Sequence, residues 1–476
     1  MKQKDNKKII DLSTKTFIQV VLFLFAIVIL SIVLTYLIPR GEFGLNPDGS
    51  MNYLDYREIE GERGINIFKG IFAPVLVFTS DNGLTLIMLS LFLMVVFASF
   101  QVMNDVGGIR VLIGAVADRF RKRKYLLLAA LVLVFMCFGA FLGLFEEMLA
   151  MLPIITALCV VVGFDSFTGF LVCIISCGFG FATAITNPFT VLLASKIIDV
   201  NPMENIWFRF VIFAAMYALM LAFVFIYARK VAKDPEKSLT RSHDEKLRAG
   251  GMESGEEEAP ARRKRTKLTY TLFLTVCLAI IIVSSTVEAI RDYTVVILIA
   301  YFLIFGLVSG FISSKKAKPV LKSFLKGFIG ALPTIAFIAL ASAIKYIFDE
   351  GGIMPTIVHQ VNEITAGKNL FVIALLIYGI ILVLEFFITS STAKAILVMG
   401  MLTVVNVGLS KQMLVLIYTF ADGYTNVLFP TSPVLLISLS MIEMDYFKWI
   451  KKSWPLFILN AALILLFLFI GISIGY

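Results

Sequence analysis

The chain has 476 residues, of which 59% are hydrophobic and 16% charged, with 43 phenylalanines and a net charge of +9. That composition excludes a soluble globular protein: windows of about twenty residues with almost no charge recur along the chain, as membrane-spanning helices require. The basic excess sits in short segments between apolar runs rather than on a binding face, which excludes nucleic acid as a partner and leaves the positive-inside rule to explain it.

The first apolar run, Phe17–Ile38, follows Lys2, Lys4, Lys7, Lys8 and Lys15 and ends at Pro39-Arg40 without a small-x-small cleavage site. It reads as a retained first helix, not a signal peptide. The connection 39–69 is mixed in charge. Next come "NDVGGI" (104–109) and the basic "DRFRKRK" (118–124). The apolar stretch 125–162 is interrupted near its middle by "GLFEEM", where Glu146 and Glu147 stand among apolar residues. Ionised carboxylates in hydrocarbon are costly and are therefore answered by a partner or used. "GFGFATAITNPFTV" (178–191) carries two glycines, Thr183, Thr186, Asn187 and a proline, and reads as the break in a spanning helix over 168–200.

Segment 229–268 has no apolar periodicity and reads as a flexible cytoplasmic linker dividing the chain in half. Beyond it lie the basic "SSKKAKPVLKSFLK" (313–326), "FDEGGI" (348–353), and an apolar stretch 369–408 interrupted by "FITSSTAK". A second broken helix, 412–441, contains "FADGYTNVLFPTSPV" (420–434), and "KWIKK" (448–452) precedes the last run. The five cysteines lie in apolar segments with no disulfide or metal spacing. His243 and His359 fall in polar connections and read as solvated loop residues.

Placing the basic connections in the cytoplasm gives alternating crossings under one condition. Stretch 125–162 must enter and leave on the cytoplasmic side, and 369–408 on the outer side, so both are expected to be re-entrant hairpins. The halves also repeat: Gly107-Gly108 answers Gly351-Gly352, and "NPFTVLLAS" (187–195) answers "PTSPVLLIS" (430–438), at displacements of 244 and 243 positions. The expected fold is an all-α polytopic membrane protein with an inverted repeat, two opposed re-entrant hairpins and two broken transmembrane helices. The first repeat covers 1–228 and the second 269–476. About nine crossings put the N-terminus in the cytoplasm and the C-terminus outside. Inverted repeats with broken helices at the midplane are secondary-transporter architecture.

The candidate binding groups follow from the interruptions. Glu146 or Glu147 would hold a substrate amine, carry a proton, or form a salt bridge with Lys394 at the opposite tip. Thr389, Ser390, Ser391 and Lys394 would hold a carboxylate, with Asn187, Asn426, Thr431 and Ser432 lining the breaks. Thr186 and Asp422 join the two glutamates as coupling-ion or proton candidates. Hydroxyl and amide oxygens suit Na⁺, and opposed half-helix N-termini suit a carboxylate. No cofactor is expected beyond Na⁺ or H⁺ as coupling ion, and no other metal.

These motifs, "GLFEEMLAMLPI", "VVGFDSFTGF", "GFGFATAITNPFTVLLASKI", "TSSTAKAILVM" and "TFADGYTNVLFPTSPVLL", resemble the C4-dicarboxylate anaerobic carrier-like family, in its YfcC-type branch. The resemblance implies membership of the ion-transporter superfamily, a dimerising scaffold with a moving part that bears two opposed hairpins, and elevator-like motion in a bacterial inner membrane. It also implies Na⁺ and carboxylate at Ser-Asn-Thr-like tips. Thr389, Ser390 and Ser391 match that chemistry, whereas Glu146-Glu147 stand where Ser-Asn would be. The expected function is secondary transport of small carboxylate-bearing metabolites, with amino acids (basic ones among them) or short peptides ahead of C4-dicarboxylates. The expected partners are that substrate, the bilayer and a second copy. A channel is the alternative outside transporters. An enzyme would need an intramembrane nucleophile–base pair or metal cluster, and no ATP-binding G-x-x-x-x-G-K-[ST] loop occurs.

Overall fold

The computed structural model describes residues 14–45, 51–59, 61, 63–80, 83–112, 120–248, 260–291, 293–365, 368–388, 391–404 and 408–476. The helices in chain order begin with α1 (Thr14–Leu37), α2 (Ile67–Leu76) and α3 (Gly83–Asp105). There follow α4 (Lys124–Leu142), α5 (Met148–Val161), α6 (Ser166–Ala182), α7 (Pro188–Ile197), α8 (Ile206–Lys233) and α9 (Arg241–Leu247). The second half contains α10 (Pro260–Thr286), α11 (Thr294–Ser314), α12 (Ala317–Gly330), α13 (Leu332–Gly351) and α14 (Met354–Thr365). It ends with α15 (Leu370–Phe387), α16 (Ser391–Val404), α17 (Lys411–Thr425), α18 (Pro433–Met441) and α19 (Tyr446–Ser473).

Among the described residues, eight helical runs are long and apolar enough to cross a membrane: α3, α4, α8, α10, α11, α12 with α13, α15 and α19. In hydrocarbon each backbone polar group must find its partner inside the protein, which is why long helices dominate. The protein is a multi-pass membrane protein. The second arms of both expected hairpins are shorter among the described residues: α5 has 14 residues and the described part of α16 has 14. At 1.5 Å per residue such a helix reaches about 21 Å, short of a hydrocarbon core of about 30 Å.

Both expected breaks are present. α6 stops at Ala182 and α7 starts at Pro188; α17 stops at Thr425 and α18 starts at Pro433. Each proline opens its second arm in the first turn, where a missing N–H costs nothing. The broken helices cross so closely that a Cβ on Gly423 would lie 2.1 Å from Ala182 Cα. The short arms then exchange partners: α5 packs on α18, and α16 packs on α7. Around this unit, α1 packs on α13, and α3 on α11 and α12.

Connection 39–69 holds a two-stranded antiparallel sheet, β1 (Gly41–Leu45) with β2 (Met51–Glu58), in an otherwise helical protein, and three expectations need correction. It is seated on α14 by Tyr56, which bonds Thr356 at 2.9 Å and stacks on His359 at 4.1 Å. The basic stretch 313–326 is mostly helix α12 rather than loop. Stretch 229–268 is not a single linker: α8 runs to Lys233, α10 starts at Pro260, and α9 lies between them.

His243, on α9, is buried rather than solvated, with Nδ1 3.5 Å from Glu443, and Lys246 pairs with the same carboxylate at 2.7 Å. At the other end of this segment, Asp165 accepts hydrogen bonds from Tyr227 (2.5 Å) and Ser238 (2.9 Å). Asp244 accepts from Ser166 N–H (3.0 Å) and Thr240 (3.1 Å). Polar side chains, not an apolar stripe, therefore fold this segment, which is why hydrophobic periodicity missed it.

Candidate functional site

The first tip is built on a backbone exchange. α4 ends in a π-helical turn, Phe138–Leu142, which leaves carbonyls without helical partners. The break in α6–α7 supplies donors for them. Ile185 N–H bonds Ala140 O (2.9 Å), Thr186 Oγ1 bonds Phe141 O (3.2 Å) and Asn187 Nδ2 bonds Gly139 O (3.2 Å). Gly143 then turns the chain at φ 68°, a conformation that favours glycine, and a Cβ there would meet Asn187 Oδ1 at 2.5 Å. The thiols of Cys177 and Cys173 reach the carbonyls of Leu144 (2.6 Å) and Met148 (3.6 Å), on either side of the glutamates. This scaffold presents Glu146 exposed and Glu147 partly exposed, and no ion pair involves either among the described residues.

The second tip is closed by charge. Lys394, Asp422 and Glu385 are 0%, 0% and 2% exposed. Lys394 Nζ pairs with Asp422 Oδ1 at 2.6 Å and with Glu385, and donates to Ile388 O at 3.2 Å. Ser391 Oγ donates to the other Asp422 oxygen at 2.8 Å, and Tyr418 OH donates to the Ser391 carbonyl at 2.5 Å. A lysine so deep in protein requires such a cage. The expected bridge from Lys394 to Glu146 or Glu147 is absent. The amine is held by two acids of its own half instead, one of which, Glu385, is in no sequence motif considered above.

The other expected residues divide into used and open groups. Asn187 is fully buried with both ends of its amide engaged, since its Oδ1 also accepts from Phe189 N–H at 2.9 Å. Thr186 serves the first tip, Asn426 Nδ2 caps the Asp422 carbonyl at 2.8 Å, and Ser432 caps α18. Thr431 is buried with its hydroxyl unpartnered among the described residues, and so is Thr190, in α7. Thr389 and Ser390 lie outside the described residues.

Two further residues hold the breaks open. Arg209 Nη1 donates to Ala184 O at 3.2 Å, and Trp449 Nε1 donates to Val427 O at 3.1 Å. Each lies four residues after the cap of its helix, Asn205 for α8 and Asp445 for α19, so the device repeats in both halves.

A family model described as the C4-dicarboxylate anaerobic carrier matches residues 17–474. The chain belongs to the C4-dicarboxylate anaerobic carrier family. This carrier is 26% identical over 392 residues to the putative basic amino acid antiporter YfcC of Escherichia coli K12, covering 79% of this chain and 76% of that protein. It is 24% identical over 370 residues to an uncharacterized protein of Haemophilus influenzae, covering 77% and 71%. Two solved structures align along most of the carrier at 14% identity. They are the YdaH transporter of Alcanivorax borkumensis (TM-score 0.43, covering 97% of this chain and 99% of that one) and MtrF of Neisseria gonorrhoeae (0.42, 94% and 93%). The carrier is a membrane transporter and not an enzyme.

Proposed function

We propose that the carrier moves amine-bearing carboxylates, basic amino acids first among them, rather than bare dicarboxylates. The observation that carries this reading is the neutralisation of Lys394 by Glu385 and Asp422, while Glu146 and Glu147 have no cation partner among the described residues. A cavity between the tips would then show two acids and, among the described residues, no free base, a field that favours a cationic group. A single dianion would face repulsion from the glutamates and find the one lysine occupied. The name of the YfcC relative, a putative basic amino acid antiporter, points the same way.

In this proposal α4–α5 is a re-entrant hairpin, because α5 is too short to cross, and α15–α16 is its counterpart in the second half. Their tips meet the two breaks at the midplane of a bacterial inner membrane. The unit of hairpins and broken helices rides against a dimerising scaffold in an elevator-like motion. The unpartnered hydroxyls of Thr190 and Thr431 are the oxygen ligands offered to a coupling ion. Proteoliposomes loaded with unlabelled arginine and given labelled arginine, lysine or succinate test the reading. Accumulation of the basic amino acids, lost in Glu146→Gln/Glu147→Gln, is expected. Succinate uptake unaffected by that double variant would overturn it.

A further inference from the structure

A second polar site lies far from the tips in the fold, where α10, α11 and the end of α3 meet. Arg262, Thr266 and Tyr270 fall four residues apart on one face of α10. Arg265, beside them, donates through Nη2 to the carbonyl of Ser313 at 3.0 Å, in the last turn of α11. The ring of Tyr270 lies against Gly108, just beyond α3, where a Cβ would come within 2.5 Å of it. Thr266 and Ser313 are 0% exposed and Tyr270 is 1% exposed. Yet Thr266 Oγ1 and Arg265 Nε have no partner among the described residues, and Tyr270 OH and Ser313 Oγ have only each other.

Buried polar atoms are nearly always satisfied, so a cluster of four groups able to donate, one of them cationic and two with nothing opposite them, calls for an acceptor-rich anion. No carboxylate of the three helices supplies one. The sequence has no acid over 260–287 or 293–348, although three glutamates at 256–258, outside the described residues, precede α10. Asp105, at the end of α3, is already held by Gln101 (2.9 Å) and Ser323 (2.6 Å). Exposed Lys316, Lys318 and Lys322 follow on from Ser313, and the exposed leucines Leu268, Leu272, Leu321 and Leu325 lie on the adjoining helices. The positive-inside rule accounts for exposed lysines at a helix end. It does not account for a partly buried arginine among three buried hydroxyls.

We propose that Arg265, Thr266, Tyr270 and Ser313 form a pocket for a phosphate group, and that its occupant is the headgroup of an anionic phospholipid. The leucines give its acyl chains a wall, and the lysines add attraction at headgroup level, as basic pockets between transmembrane helices do. This site stands whether or not the substrate reading does.

The test is native mass spectrometry of the full-length protein, released from nanodiscs of phosphatidylglycerol mixed with phosphatidylcholine, with inorganic phosphate titrated separately. Wild type is expected to retain phosphatidylglycerol over phosphatidylcholine by about tenfold or more, and Arg265→Gln/Thr266→Val to lose that preference. Lys316→Gln/Lys318→Gln/Lys322→Gln should weaken it only a few-fold. If the pocket variant fails to fold, Tyr270→Phe alone, which removes one donor and keeps the ring, should still lower retention. Equal retention of both lipids overturns the site. So does a preference that the lysine variant removes and the pocket variant leaves intact, since that is a non-specific surface. Displacement of the lipid by millimolar inorganic phosphate overturns the lipid as occupant.

Discussion

The two hairpin tips answer the same physical problem in opposite ways. Each places carboxylates within an otherwise apolar stretch of chain. At the second tip Glu385 and Asp422 enclose Lys394, and hydroxyls of Ser391 and Tyr418 bond the tip and its acid, so the charges are internal and structural. At the first tip the polar atoms of Thr186, Asn187, Cys173 and Cys177 go to the backbone, and the glutamates are left facing outward from it. A closed ion cluster gives a rigid wall; an open acid pair, in the function proposed above, gives a ligand. The difference teaches which tip should fail by unfolding and which by losing transport.

The largest expected effect breaks the closed tip. Lys394→Met leaves two carboxylates buried without their cation, and removing one partner of a buried pair costs about 3–5 kcal/mol. The apparent melting temperature in detergent should fall steeply, and the triple variant with Glu385→Gln and Asp422→Asn should recover most of it. By contrast, Glu146→Gln/Glu147→Gln should leave melting within about 0.5 kcal/mol of wild type while abolishing uptake. A Lys394→Met protein that melts like wild type would mean the cluster is not structural, and the contrast between the tips would fail.

The contact between the halves comes next. At Gly423 a new Cβ would meet Ala182 Cα at 2.1 Å, and backbone cannot give way as a flexible side chain can. Gly423→Ala should force the broken helices apart at a cost of about 1–3 kcal/mol, read as a lower melting temperature. If the tips meet across this crossing, transport should fall further than stability alone explains. A stable Gly423→Ala protein with wild-type uptake would show that the crossing does not set the tip geometry.

Much of this architecture was legible because membrane helices announce themselves by hydropathy and their breaks by proline, glycine and polar clusters. The polar interruptions at Glu146-Glu147 and Ser391–Lys394, the ends of α6 and α17, and the acid at Asp422 stand out in the sequence for that reason. Glu385 does not: a lone acid in the apolar run Leu370–Phe387 shows no partner in sequence, and Lys394 was matched by repeat symmetry to the wrong acids. Arg209 and Trp449 were missed because the carbonyls they hold lie 25 and 22 residues earlier in the chain. The β-hairpin had a readable signal in "NPDG" (46–49) between "GEFGL" and "MNYLDYRE", which the weight given to its charges obscured.

The smallest expected effect concerns the polar segment around α9, which the comparison of tips leaves out. Asp244 is pushed above the usual carboxylate range, first by burial and then by Asp165, despite its bonds to Ser166. A carboxyl raised in the folded state contributes most at pH below its ordinary value, and that contribution is lost as pH rises through the raised value. Glu443 goes the other way: burial alone would raise it, but His243 and Lys246 outweigh burial and hold it low. Its contribution is present above the ordinary glutamate value and lost as pH falls through the depressed one. Amide protection of residues 238–247 should therefore pass through a maximum at mildly acidic pH. Asp244→Asn should flatten the alkaline side by a few-fold in protection factor, and Glu443→Gln the acidic side. Protection that rises steadily with pH in wild type would show that Asp244 is held ionised and that the segment is pinned by Glu443 alone.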